Sequence, residues 1–277
     1  MGHLLSSGRY GVRELLAALI LAVVLLAGAP PAVAEQRVDL ELVLAVDVSY
    51  SMDLDEQRLQ RDGYVEAFRD PAIINAIQSG QHGRIAVIYI EWAGWGVQEI
   101  VVPWTVIDGP ATANALADRL AKSAISRQRR TSVAGALTFS DAQFGTGGFV
   151  GERRVIDVSG DGPNNSGPPV TPVRDELVAK GIVINGLPIM LKVDPNGIFD
   201  IANLDEYYAA CVIGGPGSFM IPIKERSEFA TATRQKLLLE IAGLEPPPRV
   251  MRAATPPKMD CMIGEQRTRQ YFDGISR

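Results

Sequence analysis

Histidine is almost missing from this chain. Its 277 residues include two, and His3 falls in an N-terminal leader, so His82 is the one imidazole left for acid–base or metal chemistry. Cysteine is nearly as scarce. Cys211 and Cys261 are too few for a disulfide framework, and they have no companion ligands at zinc spacing. There is no excess of positive charge either. Lys plus Arg number 27 against 32 Asp plus Glu, for a formal net charge of −5. That disfavours a general nucleic-acid binder, which needs a basic surface to neutralise phosphates; the single short basic run is Arg127-Gln128-Arg129-Arg130. The apolar run Leu15 to Leu26 falls short of the roughly 20 residues of a helical membrane span, and no later segment is more apolar. No G-x-S-x-G elbow occurs. Gly214-Gly215-Pro216-Gly217 lacks the Lys and Ser/Thr of a phosphate-binding loop. Asp47-Val48-Ser49 lacks the second Asp of an aspartyl phosphotransferase start.

What remains is the composition of an exported globular protein. Apolar residues make up 47% and charged residues 21%, enough for a sizeable core. Arg9 and Arg13, the apolar run, and the small-residue triplet Ala32-Val33-Ala34 read as a secretory signal peptide over residues 1–34, cleaved after Ala34. The alternative, an uncut anchor, is opposed by the shortness of the run. The expected compartment is the periplasm or the extracellular space, with no stable membrane span after cleavage. An oxidising compartment favours a bridge between Cys211 and Cys261; two separate buried thiols are the alternative.

Patterning along the rest alternates strand and helix. Val38 to Val46 is an apolar first strand, followed by a helix opened by Asp53 and Asp55 and closed near Arg69 before Asp70-Pro71. A short helix covers Ala72 to Gln78. Arg84 to Glu91 and Val97 to Val106 form a hairpin, with Pro103 marking a sheet edge. Helices follow over Ala111–Ala124 and Ser132–Gln143, then a strand over Arg153–Val158, a turn-rich loop from Asp161, a helix over Pro172–Lys180 and a strand over Ile182–Leu187. A short helix over Leu204–Cys211, a last strand over Ser218–Ile223 and a last helix over Glu225–Ile241 complete the pattern, with Phe229, Leu237, Leu238 and Ile241 on the inner face of that helix. The expected class is α/β: a Rossmann-like three-layer sandwich, its central sheet mostly parallel with one antiparallel edge strand, and helices on both faces. The division is 1–34 signal peptide, 35–243 domain, and 244–277 Pro-rich linker and tail. Ligands of such folds gather at the carboxyl ends of the strands.

The first strand ends in Asp47-Val48-Ser49-Tyr50-Ser51. One carboxylate and two hydroxyls at alternate positions form an all-oxygen set suited to Mg²⁺; the same residues also serve as helix caps. Thr131, before a helix, and Asp161-Gly162, after a strand, belong to loops at the same sheet edge. Together these residues resemble the metal-ion-dependent adhesion site (MIDAS) of von Willebrand factor type A (vWA) domains, and the resemblance covers residues 39–241. The stretches Cys211 to Gly217 and Glu240 to Gly243 further resemble DUF1194, a bacterial family of secreted proteins whose function is not established. Two departures stand out: Val133 occupies the place of a second threonine in T-x-T, and Ser159-Gly160 precede Asp161 where many members have Thr directly before the Asp.

The resemblance implies that Ser49, Ser51 and Thr131 coordinate the metal through their hydroxyls, with Asp47 acting mainly through water and Asp161 one shell out or direct. It implies Mg²⁺, with Mn²⁺ and Ca²⁺ as alternatives. Three neutral hydroxyls leave most of the cation's charge for a partner's Asp or Glu, so the expected activity is metal-bridged protein binding in adhesion or assembly. The alternatives are a structural or assembly protein with a non-bridging metal site, and a metal-dependent hydrolase. Hydrolysis needs a base near the open position, and His82 precedes the second strand, at the opposite sheet edge; no enzyme is expected. Candidate rim residues are Tyr50, Arg130, Asn164 and Asn165, with ordinary turn chemistry the alternative for the asparagines. Arg127, Arg129 and Arg130 could draw in an acidic partner or be a solvated run. Trp92 and Trp95 are contact anchors or cover the end of the core.

Overall fold

The computed structural model describes residues 35–192, 200–243, 251–252 and 259–275. The expected leader and most of the Pro-rich stretch lie outside the described residues. The strands are β1 (Gln36–Val38), β2 (Glu41–Asp47), β3 (Ile85–Trp92), β4 (Gln98–Ile107), β5 (Phe149–Gly151), β6 (Arg154–Gly160), β7 (Val183–Pro188), β8 (Phe219–Met220) and β9 (Met251–Arg252). The helices are α1 (Leu54–Arg69), α2 (Pro71–Gln78), α3 (Pro110–Lys122), α4 (Val133–Asp141), α5 (Val170–Ala179), α6 (Leu204–Tyr207), α7 (Phe229–Ala242) and α8 (Ile263–Ile275). A π turn, Tyr208–Val212, continues α6, and a 3₁₀ turn, Arg226–Glu228, leads into α7.

Seven strands pair in the order β4-β3-β2-β6-β7-β8-β9. From β3 to β8 the pairs are parallel, and β4 runs antiparallel to β3 at one edge. Pro103 sits in that edge strand, where a missing N–H is tolerated. The apolar run of β2 follows from its place between two parallel neighbours, which buries both of its faces. Leu42, Leu44 and Val46 meet Tyr64 and Phe68 of α1, Leu116 of α3 and Leu237 of α7. Val43 and Ala45 meet Val133 and Leu137 of α4, Leu177 of α5 and Tyr208. The sheet is thus the middle of three layers, as expected.

The start of α1 is set by a capping box. Asp53 Oδ1 accepts from the Glu56 N–H at 2.8 Å, and Glu56 Oε2 accepts from the Asp53 N–H at 2.8 Å. Three features were not expected. A second antiparallel strand, β9, closes the far edge against β8. The three-residue strands β1 and β5 form a separate parallel pair. The tail carries a 13-residue helix, α8; the Cys211–Cys261 disulfide that ties it to the body, with Cα atoms 5.5 Å apart, is the expected one.

The inner face of α7 is also less apolar than its pattern. Leu238 is only partly buried, while Lys236 and Glu240 are fully enclosed. Lys236 Nζ lies 2.5 Å from Asp157 Oδ1 of β6 and 2.5 Å from Glu240 Oε1, and Asn185 Nδ2 donates to Glu240 Oε1 at 2.9 Å. Burial pushes the Glu240 carboxyl up to about 7, with Lys236 opposing.

Candidate metal centre

β2 delivers Asp47, fully buried, to the carboxyl edge of the sheet. There the chain turns, and Asp47 Oδ1 accepts from the Ser49 N–H at 2.7 Å. Ser49 Oγ and Ser51 Oγ lie 2.8 Å apart, and Ser51 Oγ donates to Asp161 Oδ1 at 2.7 Å. Asp161 follows the end of β6, the strand next to β2. Four of the five expected ligand residues therefore form one hydrogen-bonded chain.

Thr131 arrives on the loop before α4, which lies alongside. Ser49 and Gln128 form a parallel bridge, and the Gln128 N–H donates to Val48 O at 2.9 Å. Thr131 is buried and held by its backbone. Its N–H donates to Asn165 Oδ1 at 2.9 Å, and the Asn165 N–H donates to Thr131 O at 2.8 Å. Arg130 just before it has φ +70°, a left-handed conformation uncommon outside glycine. The loop packs on the β3–β4 hairpin, where the Ser132 N–H donates to Ala93 O at 2.7 Å. A Cβ at Gly94 would stand 2.9 Å from Arg129 O, so the hairpin needs glycine there for space.

Val133 packs into the core, while Ser132 caps α4 by accepting from the Gly135 N–H at 3.1 Å. Asn164 departs from its expected place on the rim: it is fully buried. Its Oδ1 accepts from the Ala134 N–H at 3.1 Å, and its Nδ2 donates to Pro168 O at 3.0 Å and to Glu265 Oε1 at 2.6 Å. It is a strut inside the site, with no amide group left for a partner.

Tyr50 and Trp95 are each 50% exposed and flank this edge. The Arg127 guanidinium stands 4.9 Å from the Tyr50 ring centre, and Arg127 Nη2 donates to Tyr50 O at 2.8 Å. Arg130 stands 5.3 Å over Phe272 of α8. Trp92 is fully buried and closes the core. His82 lies at the other end of the sheet, with Nε2 3.1 Å from Glu152 Oε1.

The electrostatics are those of two acids pressed together. Burial first, then the Asp161 charge, hold the Asp47 carboxyl well above the usual carboxylate range, against the Ser49 N–H. Burial pushes Asp161 up to about 7; Ser51 opposes this, and Asp200 and Glu56 add to it. Asp47 Oδ2 is buried without a well-formed hydrogen bond among the described residues, and the nearby Asp161 backbone N–H only partly eases the Asp47 charge. The Tyr208 hydroxyl is buried nearby and likewise unpaired; a Cβ at Gly160 would meet both atoms at 2.9 Å. Ser51 and Asp161 also line a small cavity of about 40 Å³ shared with Lys192 and Asp200.

The donor set fits a hard divalent cation. Oxygen ligands suit Mg²⁺, and an orphaned buried carboxylate oxygen beside a second acid is what an added positive charge would stabilise. Among the described residues no group of three or more His, Cys, Asp or Glu side chains is arranged for a metal; the set is rich in hydroxyls. Tyr208 and Gln128 gave no signal in sequence, because a π turn and a backbone bridge bring them here.

A family model described as "Protein of unknown function (DUF1194)" matches residues 37–245. The chain belongs to the DUF1194 family. Its fold is that of a vWA domain. Proximal thread matrix protein 1 from the mussel byssus, solved with a zinc-occupied MIDAS motif, superposes with a TM-score of 0.51 at 15% identity, over 75% of this chain and 49% of that one. A von Willebrand factor type A protein from Catenulispora acidiphila gives 0.50 at 13%, over 74% and 43%. The pilus adhesin SpaC from Lactobacillus rhamnosus GG gives 0.53 at 12%, over 74% and 31%. At such identities the likeness establishes the fold alone, and this chain spans half or less of each of those chains. No curated protein matches the DUF1194 chain.

Proposed function

We propose that this DUF1194 protein is a non-catalytic, divalent-metal-dependent protein-binding module of the cell envelope, holding a partner's Asp or Glu side chain through Mg²⁺. The observation that carries the reading is the chain of oxygens from Asp47 through Ser49 and Ser51 to Asp161, at the carboxyl ends of β2 and β6, with Asp47 Oδ2 buried and unpaired. Ser49, Ser51 and Thr131 would ligate through hydroxyls, while Asp47 and Asp161 balance the charge. A bound Mg²⁺ would supply one electrophilic position for the partner's carboxylate. Tyr50, Arg130 and Asn165 would border that position, and Arg127 and Arg129 would favour an acidic approach.

The export reading belongs to the same proposal: cleavage after Ala34, release of residues 35–277, and a vWA domain ending near Gly243. No helix among the described residues is long and apolar enough to cross a membrane.

The test is calorimetry with Mg²⁺, followed by pull-down from envelope extract with Mg²⁺ or chelator. Ser49→Ala and Thr131→Ala each remove one buried hydroxyl and leave the apolar core intact, so each should abolish metal-dependent capture and lower metal-free stability by no more than about 1–2 kcal/mol. His82→Ala should change neither. Equal capture by the parent and both variants in chelator would end the metal-bridge reading.

A further inference from the structure

We propose that α8, which lies beyond the family-matched region, is a built-in brace of the metal site. Glu265, acting through Asn164, is a positioning residue for the loops that carry Asp161 and Thr131, and the Cys211–Cys261 bridge holds Glu265 in place. The consequence for metal binding rests on the reading above; the mechanical link stands on geometry alone.

The helix starts flush against the Asp161 loop. A Cβ at Gly264 would stand 2.0 Å from Asn164 O, so only glycine lets the two backbones approach this closely. The next residue, Glu265, accepts from Asn164 Nδ2 at 2.6 Å. The other end of the same amide accepts from the Ala134 N–H in the first turn of α4, three residues after Thr131. The nitrogen also donates to Pro168 O at 3.0 Å, within the same loop, so Glu265 is the acceptor that ties the amide to α8 and, with Ala134, fixes which way it points. Asn164 thereby locks the spacing between the loop after β6 and the start of α4. Its own N–H donates to the Tyr207 hydroxyl at 3.1 Å, and Asn165 beside it makes the reciprocal pair with Thr131.

The base of this arrangement is apolar and covalent. Met259, Cys261 and Ile263 pack on the core cluster that contains Tyr207 and Cys211, and the disulfide fixes the chain two residues before α8 begins. Further along, Arg267 Nη1 donates to Asp200 O at 2.5 Å, and Phe272 lies under the Arg130 guanidinium. The helix therefore reaches three separate segments around the site. A tail that merely covered exposed apolar surface would have no reason to place a carboxylate on a buried amide already committed at its other end.

The experiment uses the mature chain from residue 35, as parent, Glu265→Ala, Glu265→Gln and the paired Cys211→Ala/Cys261→Ala variant. Hydrogen exchange is measured on metal-free protein at the Thr131, Ala134, Asn164 and Asn165 amides, with β2 amides as the control for an intact fold. Mg²⁺ affinity is measured by calorimetry. Glu265→Ala should speed exchange at the loop amides about tenfold, the equivalent of one net hydrogen bond, and weaken Mg²⁺ several-fold. Glu265→Gln should keep parent values, because its side-chain oxygen still accepts from Asn164. The paired cysteine variant should resemble Glu265→Ala or exceed it; if it fails to fold, the two Glu265 variants decide.

Unchanged loop exchange in Glu265→Ala would overturn the brace. So would a Gln variant as impaired as the Ala variant, which would assign the effect to charge. Faster exchange with unchanged Mg²⁺ affinity would sever the brace from the metal site. A parent that binds no Mg²⁺ would defeat the metal reading, while the exchange results would still decide the link.

Discussion

Replacing Gly160 with alanine is a stringent test of how Asp47 is held. Gly160 does not adopt a left-handed backbone, so it is space that demands glycine there. The added Cβ would stand 2.9 Å from Asp47 Oδ2 and 2.9 Å from the Tyr208 hydroxyl, with Asp47 Cβ at 3.3 Å. Relieving both contacts takes a shift of about 0.5 Å among buried atoms packed at crystal-like density. Neither neighbour can yield freely. Asp47 is fixed by the Ser49 N–H at 2.7 Å, and the Tyr208 ring already crowds Gly186, where a Cβ would meet it at 2.7 Å. The strain must pass into the turn that carries Ser49 and Ser51. Overpacking of this kind costs about 1–3 kcal/mol, which in a domain of this size lowers Tm by about 2–12 °C. A ligand set displaced by about 0.5 Å loses its preorganisation, so Mg²⁺ affinity should fall at least tenfold. Thermal unfolding in chelator gives the first number and calorimetry the second. Gly274→Ala, where the new Cβ meets nothing within 4 Å, is the control and should melt at or slightly above the parent, because alanine is the better helix former, and bind Mg²⁺ equally well. If Gly160→Ala melts within a degree of the parent and binds Mg²⁺ equally well, the steric lock on Asp47 does not exist.

Glu240→Gln tests the buried lysine cluster through pH. A carboxyl raised to about 7 contributes stability that is fully present below about pH 4.5 and is lost as pH rises through about 7. The parent should therefore lose on the order of 2–3 kcal/mol more than the variant between pH 4.5 and 7; parallel urea-denaturation curves would refute this. Thiol titration of unfolded, unreduced protein should find none free, and two reactive thiols would contradict the Cys211–Cys261 bridge. That bridge spans 50 residues, for which chain entropy alone would give about 4 kcal/mol, so its removal should lower Tm by less than that figure implies because much of the loop is already folded. Mass spectrometry of the exported form should show a chain beginning at Glu35, and an intact N-terminus would refute cleavage after Ala34.

Local patterns made most of the sheet legible in sequence. The run from Val38 to Val46 announced a strand buried on both faces, Asp53 and Asp55 announced a helix start, and Pro103 announced an edge. The candidate ligand residues were legible because each sits at the end of a recognisable strand or in a loop next to one or to a helix. What escaped depends on distant partners. Lys236 and Glu240 are charged, and only Asp157 on β6 and Asn185 on β7 make their burial tolerable. Asn164 reads as turn chemistry until Ala134 and Glu265 approach from either side. The α8 sequence is mostly polar and follows a proline-rich stretch, so its position comes from a disulfide and a glycine contact that no local window contains. β5 and β9 are too short for periodicity to register.

The strand direction of β2 also decides how the molecule is presented. Asp39 and Glu41 lie beside the amino ends of β3 and β6, their N–H groups donating to Arg84 O and Arg153 O at 2.9 Å, and β2 then runs seven residues to Asp47, about 23 Å at the usual rise. A tether attached just ahead of β2 would thus leave from the pole opposite the oxygen cluster and aim that cluster away from whatever holds it. A tag or fusion placed after Ile275 would leave from the end of α8, whose Phe272 lies under the Arg130 guanidinium, and crowd the approach. An immobilised protein should therefore capture its partner when held just ahead of β2 and do so poorly when held just after α8.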